Sequence, residues 1–336
     1  MLFPFSYVAF FFSLLLGSII SISSISWFGA WVGLELNLMS FIPLISVKAN
    51  SYLSEAALKY FLMQALGSAI LISSSFLFSY FYLMPCTLIF LALLLKVGSA
   101  PFHFWFPQVM EGLLWPQALM LSTIQKLAPL TLISYLASNA PLNKLIILAA
   151  SLSAITGALG GLNLSSLRKI IAFSSINHLS WMMIAISASD TFWLLYFIVY
   201  SLIVMSITTM FSSLQAFSLS SLIKSNQNKI SYAILISFNF LSLSGIPPFT
   251  GFIPKWLLIQ VMMDLNLFVP LFFLLSSSLI TLYFYLRIMI PLFVMVNPVL
   301  NFNMKFQSIS LLSVSTVTKT SFNFVGLFLP FFFLII

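Results

Sequence analysis

The chain has 336 residues, of which 61% are hydrophobic and only 5% are charged, whereas soluble domains carry about 25% charged residues. Such a chain cannot cover a globule with polar surface, so a water-soluble fold is excluded and lipid must solvate most of the protein. A single cysteine excludes disulfide frameworks, iron–sulfur ligation and cysteine zinc sites, and two histidines cannot hold a metal centre by themselves.

The net charge of +8 comes from basic residues that are mostly scattered singly along the chain. This distribution is typical of a membrane topology signal and not of a nucleic-acid surface, so we expect no nucleic-acid partner. The first residues carry no basic segment, and the apolar run that starts there is not followed by a cleavage-site pattern. We therefore expect a first membrane span and not a removable signal peptide.

Charged and turn residues divide the chain into eleven apolar pieces. Most pieces have at least the roughly 20 residues that a helix needs to cross the hydrocarbon layer, and the ninth and tenth are long enough to tilt, kink or break. The more polar segment 297–320 is expected to run along the membrane surface. The predicted spans are 3–22, 26–46, 55–80, 84–105, 114–137, 143–163, 167–188, 191–218, 230–262, 266–296 and 321–336.

Lysine and arginine collect on one side of these spans. An odd number of spans places the N-terminus and segment 297–320 on the same face, which receives seven basic residues where the opposite face receives one. Because basic residues are retained on the side of synthesis, we expect the N-terminus there. The seven are Lys48, Arg168, Lys169, Lys224, Lys229, Lys305 and Lys319, and the opposite face has Lys144 together with Asp190 and Asp264.

Several ionisable residues fall inside the predicted spans, chiefly Glu35, Lys96, Lys126 and Lys255. A charge at the centre of a membrane helix costs about 2.5–3.5 kcal/mol on insertion scales, and intramembrane charges commonly mark proton or ion paths. Burial disfavours the charged form of a lysine and a nearby carboxylate favours it. A lysine whose carboxylate partner can move is therefore a proton switch, and Glu35 with Lys96 is the predicted pair.

Four other ionisable residues have weaker claims on function. Lys59 lies one turn into its span and is long enough to reach the membrane surface, and Arg287 has the position of an interface anchor. His103 follows a predicted helix break. It either marks the water-accessible end of the broken helix or caps that helix. His178 falls in the middle of the seventh span, where a role in a water-filled proton path competes with structural packing.

Glycine and proline interrupt the fourth span at 96–107 and the ninth at 243–256. Pro254 is expected at the first position of a restarted helix. Because the broken span is fourth in each group of five, spans 1–5 and 6–10 are expected to form two units of opposite topology. The chain is thus predicted to be an all-α polytopic membrane protein with about eleven transmembrane helices. It would have two inverted five-helix repeats, each with a broken fourth helix, plus a C-terminal helix. The predicted units are residues 1–140, 141–296 and 297–336.

Five stretches carry recognisable motifs, namely WVGLELN (31–37), EAALKYFLMQ (55–64), KVGSAPFHFWFP (96–107), AFSSINH (172–178) and LSGIPPFTGFIPKW (243–256). Together they closely resemble the proton-antiporter-type membrane subunits of respiratory NADH–quinone oxidoreductase, or complex I. The resemblance covers essentially the whole chain except 297–320. It implies proton-relay roles for Glu35, Lys96, Lys126 and Lys255.

The resemblance also implies a location and partners. The chain would be a mitochondrially encoded, multi-pass protein of the inner membrane, and the basic face would then be the matrix side. It would assemble with other membrane-arm subunits of complex I, including neighbouring antiporter-like chains, and contact membrane lipids. No cofactor is expected in this chain, and NADH, FMN, iron–sulfur clusters and ubiquinone would belong to partner subunits.

Two alternatives to a proton-translocating complex I subunit stay open at this point. A freestanding cation/proton antiporter of the related family would share most of the motifs, and the two N-terminal motifs argue against it. A structural scaffold within the same assembly would have no need for several charges inside the membrane. Purification of the protein alone would support the first alternative, and purification within a large assembly would argue against it.

Overall fold

The computed structural model describes residues 5–46, 50–78, 83–226 and 230–294, and for 224–226, 230–232 and Val294 it describes the backbone alone. The predicted segment 297–320 and the span 321–336 lie outside the described residues, as do Lys48, Lys229, Lys305, Lys319 and the side chain of Lys224. Within the described ranges the chain forms fourteen α-helices. They are α1 (Phe5–Ser23), α2 (Trp27–Ile45), α3 (Ser51–Leu77), α4 (Leu83–Val97), α5 (Trp105–Gly112), α6 (Trp115–Ser122), α7 (Ile124–Leu136), α8 (Ala140–Gly160), α9 (Leu167–Ala188), α10 (Asp190–Leu214), α11 (Leu219–Asn226), α12 (Ile230–Ser244), α13 (Phe252–Asp264) and α14 (Phe268–Val294).

The all-α membrane fold is confirmed. In the described part of the chain, eight helical stretches are long and apolar enough to cross a membrane, with α6 and α7 counting together as one. The apolar helices α4 and α12 are shorter than a full span. Large apolar side chains such as Phe12, Leu62, Phe272 and Leu279 are exposed on the outer surface of the bundle. This arrangement suits a protein that lipid solvates.

The fourth and ninth spans are both interrupted. The interruptions predicted within spans 84–105 and 230–262 are therefore present in the structure. α4 ends at Val97 and α12 at Ser244, and each is followed by a glycine in the left-handed region, Gly98 at φ +76° and Gly245 at φ +77°. Glycine adopts this conformation without the steric cost that a Cβ would bring. Pro254 is the third residue of α13 and not the first as predicted, but it still lies in the first turn, where a helix does not need its N–H.

Two further features were not predicted. The fifth span is divided at Thr123, whose backbone angles of φ −120° and ψ −80° separate α6 from α7. Pro129 lies inside α7, where it cannot donate a hydrogen bond to the carbonyl of residue 125. The eighth span, predicted to reach 218, ends at Leu214, and the short helix α11 follows it.

Glycines allow the closest helix crossings. A Cβ on Gly17 of α1 would lie 2.8 Å from the backbone nitrogen of Asn37 in α2, and one on Gly157 of α8 would lie 2.7 Å from that of Asn177 in α9. At such distances the backbones of the two helices are in contact, which explains why small residues are found at membrane helix interfaces.

The connections between the membrane-crossing stretches lie on two opposite faces of the bundle. Arg168 Nη1 donates to the Leu113 carbonyl at 2.6 Å and Trp115 Nε1 to the Ala216 carbonyl at 3.1 Å, which joins three connections on one face. We call it the Arg168 face, and it comprises residues 112–115, 161–168 and 215–219. The opposite Asp190 face comprises 24–26, 137–139, 189–190 and 264–267, where the Tyr135 hydroxyl donates to the Ile22 carbonyl nearby at 3.1 Å.

Candidate functional site

Three of the predicted lysines are almost completely buried inside the bundle. Their residues expose 6% (Lys96), 2% (Lys126) and 6% (Lys255) of their surface. No ion pair in the described part of the chain involves any of them. The ammonium groups of Lys126 and Lys255 lie against backbone carbonyls and aromatic rings instead.

The first break lies directly after Lys96, at the end of α4. The side chain of Lys96 packs on α3, where a Cβ on Gly67 would come within 3.0 Å of Lys96 Cγ. Carbonyls that the broken helix leaves free are bonded by neighbouring side chains: Gln64 Nε2 donates to the Lys96 carbonyl and Trp105 Nε1 to the Leu95 carbonyl, both at 3.0 Å. The amide and the indole keep these hydrogens at any working pH.

Glu35 lies in α2, half-buried, with its Oε2 atom buried and without a hydrogen-bond partner. Its charge acts on Lys96 and on the buried Tyr60. Although both residues are described, no ion pair joins Glu35 to Lys96. The structure thus brings the predicted pair within electrostatic reach and leaves a gap between the two groups.

Lys126 lies in the first turn of α7 and faces α9. Its Nζ atom is 3.5 Å from the Ser175 carbonyl oxygen, at the limit of a hydrogen bond. The ammonium lies 4.7 Å from the centre of the Phe106 ring and 5.8 Å from that of Tyr200. Aromatic faces attract a cation at such distances, and no carboxylate pairs with Lys126 in the described part of the chain.

His178 lies in α9 between Lys126 and Lys255, and the charges of both lysines act on it. Its Nδ1 atom is 2.9 Å from the hydroxyl of Tyr196, and its ring centre is 5.1 Å from that of Tyr200. A cavity of about 10 Å³ adjoins these three side chains and the second helix break. The lining is mainly apolar, and the volume is at the lower limit for one water molecule.

The second break is held by Lys255. From the first turns of α13, its Nζ atom reaches back to the end of α12 and donates to the carbonyls of Ser244 at 2.8 Å and Leu243 at 3.5 Å. A Cβ on Gly245 would lie 2.8 Å from Lys255 Cδ, so only glycine leaves room for the lysine. A cation at a helix C-terminus also interacts favourably with the helix dipole.

Lys59 and Arg287 lie away from this buried group. Lys59 pairs with Glu55 one turn earlier in α3 at 2.6 Å, both side chains are substantially exposed, and both line an open cavity of about 550 Å³ at the Arg168 face. Glu111 and Arg168 also line this cavity, and Glu111 pairs with Lys169 at 2.6 Å. Arg287 is exposed on α14. His103, after the first break, is half-buried and packs against Phe104.

Sequence reasoning missed the polar residues that surround the lysines. Tyr196 and Tyr200 are buried on one face of α10 beside His178, and their spacing of four residues was a usable signal. Gln125 and Tyr60 form a hydrogen-bonded group beside Glu35, but uncharged amides and single tyrosines in an apolar span carry no comparable signal. Among the described residues, no three His, Cys, Asp or Glu side chains converge as a metal site would require.

A family profile described as NADH:quinone oxidoreductase/Mrp antiporter, TM, matches residues 24–84 and 79–281. The chain belongs to this family. Within the antiporter family it is 44% identical over 329 residues to NADH-ubiquinone oxidoreductase chain 2 of Anopheles gambiae, which covers 94% of this chain and 93% of the relative. It is 46% identical over 287 residues to chain 2 of Aedes aegypti, with 83% of each covered.

Solved structures share the fold. Respiratory complex I from Thermus thermophilus, with bound aureothin, contains a chain that aligns with a TM-score of 0.80 at 22% identity, over 97% of this chain and 79% of that one. The Mrp complex from Dietzia sp. DQ12-45-1b aligns with a TM-score of 0.70 at 18% identity, over 81% of this chain and 57% of the other. The antiporter-family fold is therefore common to respiratory and Mrp assemblies.

Proposed function

We propose that this chain is a membrane-arm subunit of a proton-translocating NADH:ubiquinone oxidoreductase in the mitochondrial inner membrane, the counterpart of the chain 2 relatives. Near-complete coverage of a relative at 44% identity supports this assignment. NADH, FMN, iron–sulfur clusters and ubiquinone would be bound by partner subunits. Other antiporter-like chains and lipid would surround this one.

The observation that carries the proposal is that two buried lysines approach α9 on either side of His178 in the sequence, Lys126 at the Ser175 carbonyl and Lys255 at the Trp181 ring. A proton cannot cross dry hydrocarbon, so it must step between groups that can hold it. Glu35, Lys96, Lys126, His178 and Lys255 supply such groups from α2 to α13.

Lysine chemistry suits the second break in particular. Protonated, the amine has three hydrogens to donate, and after it loses a proton it still has two. Lys255 can therefore keep its hydrogen bonds to Leu243 and Ser244 in both forms. A proton could leave this site without releasing the end of α12.

We also infer that residues 1–140 and 141–296 are inverted repeats. In each unit the first helix packs on the second through a glycine that contacts an asparagine backbone, Gly17 with Asn37 and Gly157 with Asn177. In each unit the fourth span breaks at a glycine with φ near +77°. These matched features support two copies of one five-helix design.

A freestanding antiporter of the same family is the alternative. The fold itself does not discriminate, because the Mrp complex shares it. The match along the whole length of chain 2 relatives favours the respiratory assembly. Purification in mild detergent should recover the chain in a large assembly with NADH dehydrogenase activity, whereas recovery as an isolated chain would support the antiporter.

Substitution of Lys126 tests the proton path. Arginine keeps its proton at any working pH, so Lys126→Arg should preserve the positive charge and abolish proton translocation, while Lys126→His should retain part of it. The measurement is proton uptake by sealed vesicles, with NADH oxidation followed in parallel. Lys144→Arg, at an exposed lysine on α8, is the matched control and should translocate normally. Normal translocation by Lys126→Arg would mean that this lysine only stabilises the packing.

A further inference from the structure

A hydrogen-bonded chain of three uncharged side chains crosses three helices beside the buried charges. Gln125 Nε2 of α7 donates to Asn37 Oδ1 of α2 at 2.7 Å. The Tyr60 hydroxyl of α3 donates to Gln125 Oε1 at 3.2 Å. Asn37 and Tyr60 are 2% and 1% exposed. The amide of Gln125 is thus both donor and acceptor in one bridge.

The bridge joins the helices that carry two of the proposed proton carriers. Gln125 immediately precedes Lys126, and Asn37 lies two residues after Glu35. The charge of Glu35 acts on Tyr60. Each member of the chain is therefore next to a titratable group in sequence or in space, although Tyr60 is the only one of the three with an ionisable side chain.

The two ends of the bridge are attached to rigid parts of the fold. The backbone of Asn37 is held against Gly17 of α1, where no Cβ would fit. The Tyr60 ring packs against Phe41 with ring centres 5.1 Å apart and against Trp105 with centres 6.1 Å apart. Trp105 in turn bonds the Leu95 carbonyl at the first break.

Between these anchors, α7 begins at the division of the fifth span at Thr123. A helix that restarts after such a division is not aligned by the helix before it. Contacts near its first turn must determine how it is rotated and where its side chains point. Gln125 supplies two such contacts in that turn, one to α2 and one to α3.

We infer that Gln125 is a positioning residue that holds Lys126 at a defined distance from Glu35, through Asn37 and Tyr60. The inference rests on the proposed proton path. An amide suits this role because it donates and accepts at once and neither gains nor loses a proton near neutral pH. It joins the two carriers mechanically without becoming a carrier itself.

Three substitutions in the assembled membrane complex test the inference. Gln125→Met keeps the length of the side chain and removes both hydrogen bonds, and Tyr60→Phe removes one bond while leaving the ring packed. Each bond lost should lower proton uptake per assembled complex by about two- to tenfold. Ser206→Ala, which removes a comparable buried bond to Asn239 Oδ1, is the matched control and should leave proton uptake unchanged.

Gln125→Glu should make proton uptake depend on pH in a way that a purely structural role of Gln125 would not produce. A neutral carboxyl group donates to Asn37 and accepts from Tyr60 as the amide does, but an ionised one cannot donate. Proton uptake by Gln125→Glu should therefore approach that of the unaltered protein at low pH and fall below it as pH rises. The titratable groups nearest this site are Glu35, Tyr60, Lys96, Lys126 and His178, and they are identical in both proteins.

The outcomes separate this inference from the function on which it rests. If Lys126→Arg stops proton uptake while Gln125→Met and Tyr60→Phe pump normally per assembled complex, the positioning role is wrong and the proton path stands. If Gln125→Glu follows the pH profile of the unaltered protein, the positioning role is likewise wrong. If Lys126→Arg also pumps normally, the proposed proton path has failed.

Discussion

Single residues inside the membrane combine burial with unusual partners. Lys126 exposes 2% of its surface and contacts a carbonyl and two aromatic rings, and Lys255 caps a helix end. Glu35 has one buried oxygen without a partner. Because these buried lysines have no fixed carboxylate partner among the described residues, they can gain and lose a proton, as a proton path requires.

Removal of the Glu35 charge should uncouple pumping from redox chemistry. No ion pair joins Glu35 to Lys96, so Glu35→Gln should avoid the penalty of about 3–5 kcal/mol for breaking a buried pair and should permit assembly. NADH oxidation by partner chains should continue while proton uptake falls. Asp264→Asn, at an exposed carboxylate, is the control. If Glu35→Gln translocates as many protons per NADH oxidised as the unaltered protein does, Glu35 is not part of a proton switch.

The two interrupted helices place buried lysines, Lys96 and Lys255, beside the ends of α4 and α12. Both breaks begin with a glycine at positive φ, but different donors hold them, an indole and an amide at the first and an ammonium at the second. Glycine and proline in the sequence predicted both breaks. The division at Thr123 had no such local signal, because residues 119–125 contain neither glycine nor proline.

Gly245→Ala should damage the second break. Alanine at φ +77° is strained, and its Cβ would lie 2.8 Å from Lys255 Cδ, at a combined cost of about 1–3 kcal/mol. We expect fewer assembled complexes and slower proton uptake by those that form. Gly29→Ala, in the first turn of α2 and without a positive φ, should assemble and pump almost normally. Equal behaviour of the two variants would contradict the role given to Gly245.

At the scale of the whole molecule, the helices present two chemically different faces. Arg168 and Lys169 lie on the face that also carries the charged cavity of about 550 Å³, and Asp190 and Asp264 lie on the other. This segregation agrees with the charge asymmetry along the chain. We expect the Arg168 face in the matrix and the Asp190 face in the intermembrane space.

Cysteine labelling tests this orientation, because the one native cysteine, Cys86, is buried. Ser138→Cys and Ser165→Cys introduce an exposed cysteine on the Asp190 face and the Arg168 face, respectively. In mitochondria stripped of their outer membrane, an impermeant maleimide should label Ser138→Cys alone. Both should react after permeabilisation. Labelling of Ser165→Cys alone in sealed membranes would reverse the assignment.

The sequence by itself determined that the protein is an all-α membrane protein, where two of its helices break and which lysines are buried. These follow from hydropathy, from glycine and proline, and from the cost of charge in lipid, all of which are local properties. Only the tertiary structure decided that Lys59 pairs at an open cavity, that Glu35 and Lys96 form no ion pair, and that Gln125 bridges Asn37 and Tyr60. Contacts between helices distant in sequence depend on how those helices are rotated and packed, and hydropathy along the chain carries no information about rotation.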